Sequence, residues 1–302
     1  MPSEDINSLA TPAVKQEPLA GRLRLLLGGT FLFAYVLAAV IGIQVSRHHD
    51  EDSHLAATIL AQGYAQRIQE RLQTALVSTY VLASVVKQSN GRVQRFDEIA
   101  AELIALFPSV SALQLAPDGV IREIYPLEGN QQAIGHDLLG DKQRNREAAA
   151  AITLRQLSLA GPFNLVQGGV GAVGRLPIFL VNERNESHFW GFANALIRLP
   201  KLLDAAGFGG LAKAGYHYEL WRLDPDTEQR QVFSRSSDQP LVMPVEYVIT
   251  IYGGRWILSL APAEGWQTFA DYIKIFVYSL ASALTVTLLQ YLGVRRLLRE
   301  RT

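Results

Sequence analysis

Three stretches combine residue types and spacings that could do chemistry. Gly169-Val170-Gly171-Ala172-Val173-Gly174 satisfies the G-x-G-x-x-G pattern. A dinucleotide site needs that pattern to leave a strand and open a helix, whose N-terminus then holds the pyrophosphate. Here it runs into Arg175-Leu176-Pro177-Ile178-Phe179, which is strand-like and carries a proline. The glycines therefore read as a hairpin loop over residues 168–174, used for positive φ and close backbone approach. His136-Asp137 could be an acid/base pair or two metal ligands. No third ligand or nucleophile stands at useful local spacing, so the pair reads as a turn or cap. Asn185-Glu186-Ser187 fits the N-glycosylation triplet, which matters only in a eukaryotic secretory route.

Composition narrows the chemistry further. The chain has no cysteine, which excludes a thiol nucleophile, a zinc-thiolate site and a disulfide scaffold together. Lys plus Arg equals Asp plus Glu at 28 each, so no global charge points to nucleic acid. No catalytic residue set, metal site or cofactor is expected, and binding rather than turnover is the expectation.

The elements that must position these residues begin at the ends of the chain. Residues 25–45 carry no charge, and as a helix they reach about 31 Å, the thickness of a bilayer's hydrocarbon core. The run is longer than a signal-peptide core and no small-x-small site follows it, so it reads as an uncleaved anchor. A second charge-free run covers residues 275–294 and ends in Arg295-Arg296. Arg22 and Arg24 precede the first span and Asp50-Glu51-Asp52 follow it. The positive-inside rule then puts both termini in the cytoplasm and the residues between the spans outside. The expected layout is a disordered tail (1–22), transmembrane helix 1 (23–46), a stalk helix (47–91), a membrane-distal unit (92–198), a membrane-proximal unit (199–271), transmembrane helix 2 (272–295) and a cytoplasmic end (296–302).

Within the stalk, Tyr64, Ile68, Leu72, Ala75, Thr79, Leu82 and Val86 recur at three- and four-residue steps. That stripe fits packing against the chain's own domain or a two-fold dimer seam equally well. Asn90-Gly91 ends the helix, and residues 95–107 form a second, short one. Strands are expected at 110–115, 120–125, 163–167, 176–181 and 189–197, with a helix at 142–154 whose basic face holds Lys142, Arg144 and Arg146. A further helix at 200–206 and strands at 216–222, 231–234, 245–252 and 255–261 make the second unit. The fold class is α+β: a long N-terminal stalk helix with two tandem PAS-like antiparallel-sheet units, flanked by two transmembrane helices.

Taken in order, Phe107-Pro108, Tyr125-Pro126-Leu127-Glu128-x-Asn130, Ala133-Ile134-Gly135-x-Asp137-Leu138, Gly161-Pro162 and Gln167-Gly168-Gly169 up to Arg175-Leu176-Pro177 closely resemble the CHASE domain. This is the extracellular sensory domain of histidine kinases and diguanylate cyclases, related to the plant cytokinin receptors. The resemblance covers roughly residues 50–270. It implies a stalk helix carrying two PAS-like units, ligand bound in the distal one, and a homodimer through the stalk.

Laid against the plant receptors, Leu138 and Val166 fall where the pocket is lined, and Asp137 belongs to the shared motif beside them. The acidic residue that reads the adenine edge falls at Arg144, and a hydroxyl position falls at Arg175 once a gap is set in the glycine loop. Arginine cannot accept a hydrogen bond, so an anionic or polar small ligand is expected rather than a cytokinin. The expected ligand-binding set is thus Asp137, Leu138, Arg144, Val166 and Arg175.

The functional expectation is the periplasmic small-molecule-sensing module of a receptor in the bacterial inner membrane. It would relay binding to a cytoplasmic kinase or cyclase output, in cis or in trans. The sequence ends at Thr302 without an output signature, so the alternative is a stand-alone membrane protein that assembles with or regulates a separate partner.

Overall fold

A computed structural model describes residues 19–140, 145–225, 227–266 and 269–300. The chain divides into two compact units, one formed by Met1–Asp52 with Gln267–Thr302 and the other by Ser53–Trp266. Helix α1 (Leu19–Gln88) contributes to both, and α6 (Phe269–Arg299) belongs to the first. Both α1 and α6 contain stretches long and apolar enough to cross a membrane, with mean hydropathies of 2.2 and 1.6. Within that unit Gly42 lets Ile275 approach so closely that an added Cβ would lie 2.9 Å from Ile275 Cγ2.

In the larger unit, α1 is the spine. It ends where Asn90 takes a left-handed conformation (φ 48°), with Gly91 N–H donating to Val86 O and Asn90 N–H to Lys87 O. These two bonds satisfy carbonyls that a helix end leaves open. Next come α2 (Phe96–Leu106), β1 (Ala112–Pro117), β2 (Glu123–Tyr125), α3 (Asn145–Leu154), β3 (Ser158–Asn164), β4 (Val170–Val181) and β5 (Ser187–Arg198). These strands form an antiparallel sheet in the order β2-β1-β5-β4-β3. After α4 (Leu199–Ala205) and α5 (Gly209–Lys213), strands β6 (Tyr216–Leu223), β7 (Arg230–Arg235), β8 (Val245–Ile251) and β9 (Gly254–Pro262) form a second antiparallel sheet, ordered β7-β6-β9-β8.

One apolar core joins both sheets to α1. Ile68, Leu72, Leu76 and Leu82 of the helix pack with Leu113, Leu115, Ala193 and Ala195 of the first sheet and with Leu220, Leu258 and Leu260 of the second. The stripe from Tyr64 to Val86 is therefore turned inward: each of its seven residues is 8% exposed or less. Packing against the chain's own domain claims it, and a dimer seam built on those residues is excluded by their burial.

Two expectations around the glycine stretch are corrected. First, β4 begins at Val170, so Gly171 and Gly174 lie inside the strand and the turn is confined to residues 165–169. The reason is contact with the stalk: a Cβ on Gly174 would stand 1.9 Å from Leu76 Cδ2. Second, β3 starts at Ser158 and runs through Gly161-Pro162 instead of beginning at Phe163. A proline is tolerated there because β3 is the sheet's edge and its pairing with β4 shifts register between Ala160 and Phe163. The helix expected from residue 142 begins at Asn145 among the described residues; Lys142 and Arg144 lie outside them.

Candidate functional site

Strand alternation gives the five-stranded sheet two faces. Leu113, Leu115, Ala193 and Ala195 face α1, whereas Ala112, Ala116, Phe192, Leu196 and Val173 belong to a separate cluster on the other side. Interleaved with that second set are three polar residues. Gln114 pairs across the strands with Asn194, and Asn194 pairs with Arg175, so they form one continuous row over β1, β5 and β4. All three are buried, at 3%, 0% and 2% exposure. Asn194 Nδ2 donates to Gln114 Oε1 at 3.3 Å. Asn194 Oδ1 has no hydrogen-bond partner among the described residues.

A roof covers this row. Ile121 N–H donates to His136 O (3.0 Å), Gly135 N–H to Ile121 O (2.8 Å) and Leu138 N–H to Gly119 O (2.9 Å), which fixes the 131–139 loop against the segment before β2. The β3–β4 turn is tied to the preceding motif by Gln167 Nε2, which donates to Asn130 Oδ1 at 3.3 Å. Asn130 is itself anchored through Nδ2 on Pro126 O at 2.9 Å. Helix α3 adds Ala148 and Ala151 to the cluster that holds Leu138, Leu165 and Val173.

Between roof and row lies a cavity of about 30 Å³. Gln114, His136, Gln167 and Arg175 provide its polar lining, and Ile121, Leu138, Phe163, Leu165, Val166 and Val173 most of its apolar lining. A donor-rich floor under an apolar roof can hold a small molecule with one acceptor-bearing end and a hydrophobic body. That volume has room for only two or three waters at about 10–15 Å³ each, so a larger ligand must displace the roof.

Of the expected site residues, Leu138, Val166 and Arg175 meet at this cavity. Asp137 does not line it. Its Oδ1 accepts hydrogen bonds from Leu139 N–H and Gly140 N–H, both at 2.9 Å, and closes the turn after the loop. Those two backbone donors, foremost Gly140, hold its carboxyl below the ordinary aspartate value. Arg144 lies outside the described residues. Sequence reasoning missed Gln114, Gln167 and Asn194 as members of the site. A signal was present: Leu113-Gln114-Leu115 and Ala193-Asn194-Ala195 each set an amide inside an otherwise apolar strand. Among the described residues no cluster of His, Asp and Glu could hold a metal ion.

The CHASE domain family model matches residues 51–233, more than half of the chain, and the chain belongs to that family. A comparison with curated proteins finds no match. The structure is similar to an extracellular ligand binding receptor from Desulfohalobium retbaense, with a TM-score of 0.52 and 16% identity over 68% of this chain and 40% of that one. The chain thus spans less than half the length of that receptor. It is also similar to the sensory domain of the Campylobacter jejuni chemoreceptor Tlp3, with a TM-score of 0.49 and 11% identity over 72% of this chain and 97% of that one. At 16% identity and a TM-score of 0.52, the likeness to the first of these shows a shared fold alone.

Proposed function

Because the chain is a CHASE-domain protein, we propose that it is the periplasmic small-molecule-sensing module of a bacterial transmembrane signalling receptor, with ligand bound on the buried polar row of the distal, PAS-like sheet. The observation that carries this reading is the row itself: Gln114, Asn194 and Arg175 are 3%, 0% and 2% exposed on one face of the sheet, and Gln114 and Arg175 line the cavity. A planar fork of guanidinium donors suits a carboxylate or phosphate. The ligand is accordingly a small anion with an apolar body, held by Arg175 with Gln114 and Gln167. Its arrival opens the roof, and the energy it supplies to shift the receptor is its differential affinity for the two packings.

Two apolar helices and the charge pattern around them support an inner-membrane protein with cytoplasmic termini and residues 53–266 outside. A homodimer through the stalk would use the face of α1 left open by its own domain. Leu55 and Ile59 near its base and Val77, Tyr80 and Val81 higher up are 39–61% exposed and share one side at helical spacing. The output is a cytoplasmic kinase or cyclase, in cis or in trans.

A thermal-shift screen of the full chain in detergent against short organic acids, amino acids and nucleobases tests the ligand class. At least one carboxylate or phosphate compound should raise the melting temperature of the native chain and not that of Arg175→Ala. Equal stabilisation of both proteins removes Arg175 from the site, and stabilisation by uncharged compounds alone removes the anion.

A further inference from the structure

The distal cavity and the proximal sheet are bridged by one buried side chain. Arg222 stands near the end of β6, in the four-stranded sheet, and is 9% exposed. Its Nε donates to Gln231 Oε1 on β7 at 2.9 Å, fixing the guanidinium within its own sheet. Its Nη1 reaches to the side of the five-stranded sheet twice, to Gly161 O of β3 at 2.6 Å and to Glu147 Oε1 in the first turn of α3 at 3.1 Å.

Both of those partners lie one step from the cavity. Glu147 is followed by Ala148, which packs with Leu138, Leu165 and Val173, and these three line the cavity. Gly161 stands two residues before Phe163, which also lines it. Two further links run alongside: Arg146 Nη1 to Pro225 O at 2.9 Å, with Arg146 exposed, and Leu159 N–H to Tyr252 O at 2.7 Å, between backbones. Of the three, only the Arg222 link is both largely buried and charge-paired: the Arg222 and Glu147 side chains are 11% and 19% exposed. Charge-assisted bonds screened from water are the strongest and most directional of such contacts.

We infer that Arg222 is the positioning residue that carries the state of the distal cavity to the membrane-proximal sheet. The inference rests on that cavity being the sensing site, and it names how the site is read. When the roof is displaced, α3 moves with it through Ala148 and Ala151. Glu147 then draws on the guanidinium, and β6 with β7 follows because Gln231 and Arg222 are bonded to each other. Without this link, α3 and β3 keep only the exposed Arg146 bond and the single backbone bond of Leu159 to the proximal sheet, and neither holds the guanidinium-bearing strand β6 directly.

The test needs no ligand, only a perturbation of the roof. Leu165→Ala enlarges the cavity and loosens the contact between the β3–β4 turn and α3. Amide hydrogen exchange is measured on the full chain in detergent for Leu165→Ala, Arg222→Gln and the double variant. In the native background, Leu165→Ala should speed exchange in α3 and in residues 216–235 together. In the Arg222→Gln background, α3 should still respond and the response of residues 216–235 should disappear.

An arginine that merely stabilises the sheet would raise exchange there in the single variant and leave the response to Leu165→Ala intact, which overturns the inference. So does a proximal sheet that never responds. If Arg222→Gln loses its helical circular dichroism, Glu147→Gln runs the same cycle while leaving β6 and its bond to Gln231 untouched. Failure of the ligand screen sinks the sensing reading without touching this result, and a chain that binds anions yet shows no coupling sinks only the role of Arg222.

Discussion

Where α1 meets the five-stranded sheet, Leu76 fills the space that a side chain at position 174 would need, so the leucine side chain rests directly on the strand backbone. Where it passes the four-stranded sheet, aromatic rings keep the two apart: Tyr64 meets Phe208, and Phe208 meets Tyr218, each edge to face. The outer faces differ more. The distal sheet hides Gln114, Asn194 and Arg175 under a roof and leaves Asn194 Oδ1 without a hydrogen bond among the described residues. The proximal sheet also buries a polar atom on its outer side, Ser259, but completes its bonds: Trp221 Nε1 donates to Ser259 Oγ at 2.8 Å, and Ser259 Oγ donates to Glu246 Oε1 at 2.9 Å. One sheet holds hydrogen-bonding capacity in reserve, and the other has used it. In the function proposed above, that unmet capacity is the cost a binding site carries in its empty state.

The largest effect should come from the inner contact. Gly174→Val drives two methyl groups into Leu76, which is 1% exposed and has no room to swing away. Overpacking of this kind costs typically 1–3 kcal/mol, and about 3 kcal/mol is expected here because the clash is so close. Urea unfolding of the full chain measures it. Adding Leu76→Ala should recover part of the loss, since it empties the space the valine needs. If the double variant is no better than the single, the glycine serves something other than the approach to the stalk.

Smaller, and opposite in sign between the sheets, are the effects on the outer faces. Ser259→Ala takes the acceptor from Trp221 and the donor from Glu246, and it should cost about 1–2 kcal/mol. Asn194→Leu removes a carbonyl that has no hydrogen-bond partner among the described residues, giving up only a 3.3 Å bond to Gln114. It should raise stability by about 1 kcal/mol, as removal of a buried unsatisfied group does, while weakening any anion-induced thermal shift. Losses of equal size in both variants would mean that the distal row is as fully bonded as the proximal one and stores nothing for a ligand.

The same contrast explains what was legible in the sequence. In the proximal sheet Val245–Ile251 alternates cleanly, because its polar residues sit where solvent or a local partner satisfies them. The stalk and the charge-free segments announced themselves by length and period. In the distal sheet, packing overrode local pattern. Gly171 and Gly174 read as loop because what crowds them in the strand comes from elsewhere in the chain: Ile197 O would lie 2.8 Å from a Cβ on Gly171, and Leu76 approaches Gly174 from more than ninety positions away. Gln114 and Asn194 were passed over because each is a single residue in an apolar run, and only register brings them beside Arg175. Arg222 could not be found at all: nothing in Trp221-Arg222-Leu223 points to Glu147, 75 positions earlier.

The smallest effect concerns charge at the edges of the two sheets. Glu219 on β6 is held by Arg230 on β7, with Nη2 and Oε2 2.7 Å apart. Glu123, on the distal edge strand β2, has instead the like charge of Asp97 nearby. Partial burial first, and Asp97 second, raise its carboxyl above the ordinary value of 4.5. The folded chain therefore binds this proton more readily than the unfolded chain does. The resulting stabilisation is fully present below the unfolded value and is lost as pH rises through the folded one. Glu123→Gln should abolish that loss, so the difference in urea midpoint between variant and wild type should be near zero at about pH 4 and favour the variant at about pH 7. The gain must be small because much of the side chain faces water, which screens the repulsion. If Asp97→Asn reproduces only a minor part of the gain, burial is the leading cause. Parallel curves for wild type and Glu123→Gln would mean that the distal edge tolerates its unpaired charge as easily as the proximal edge tolerates its pair.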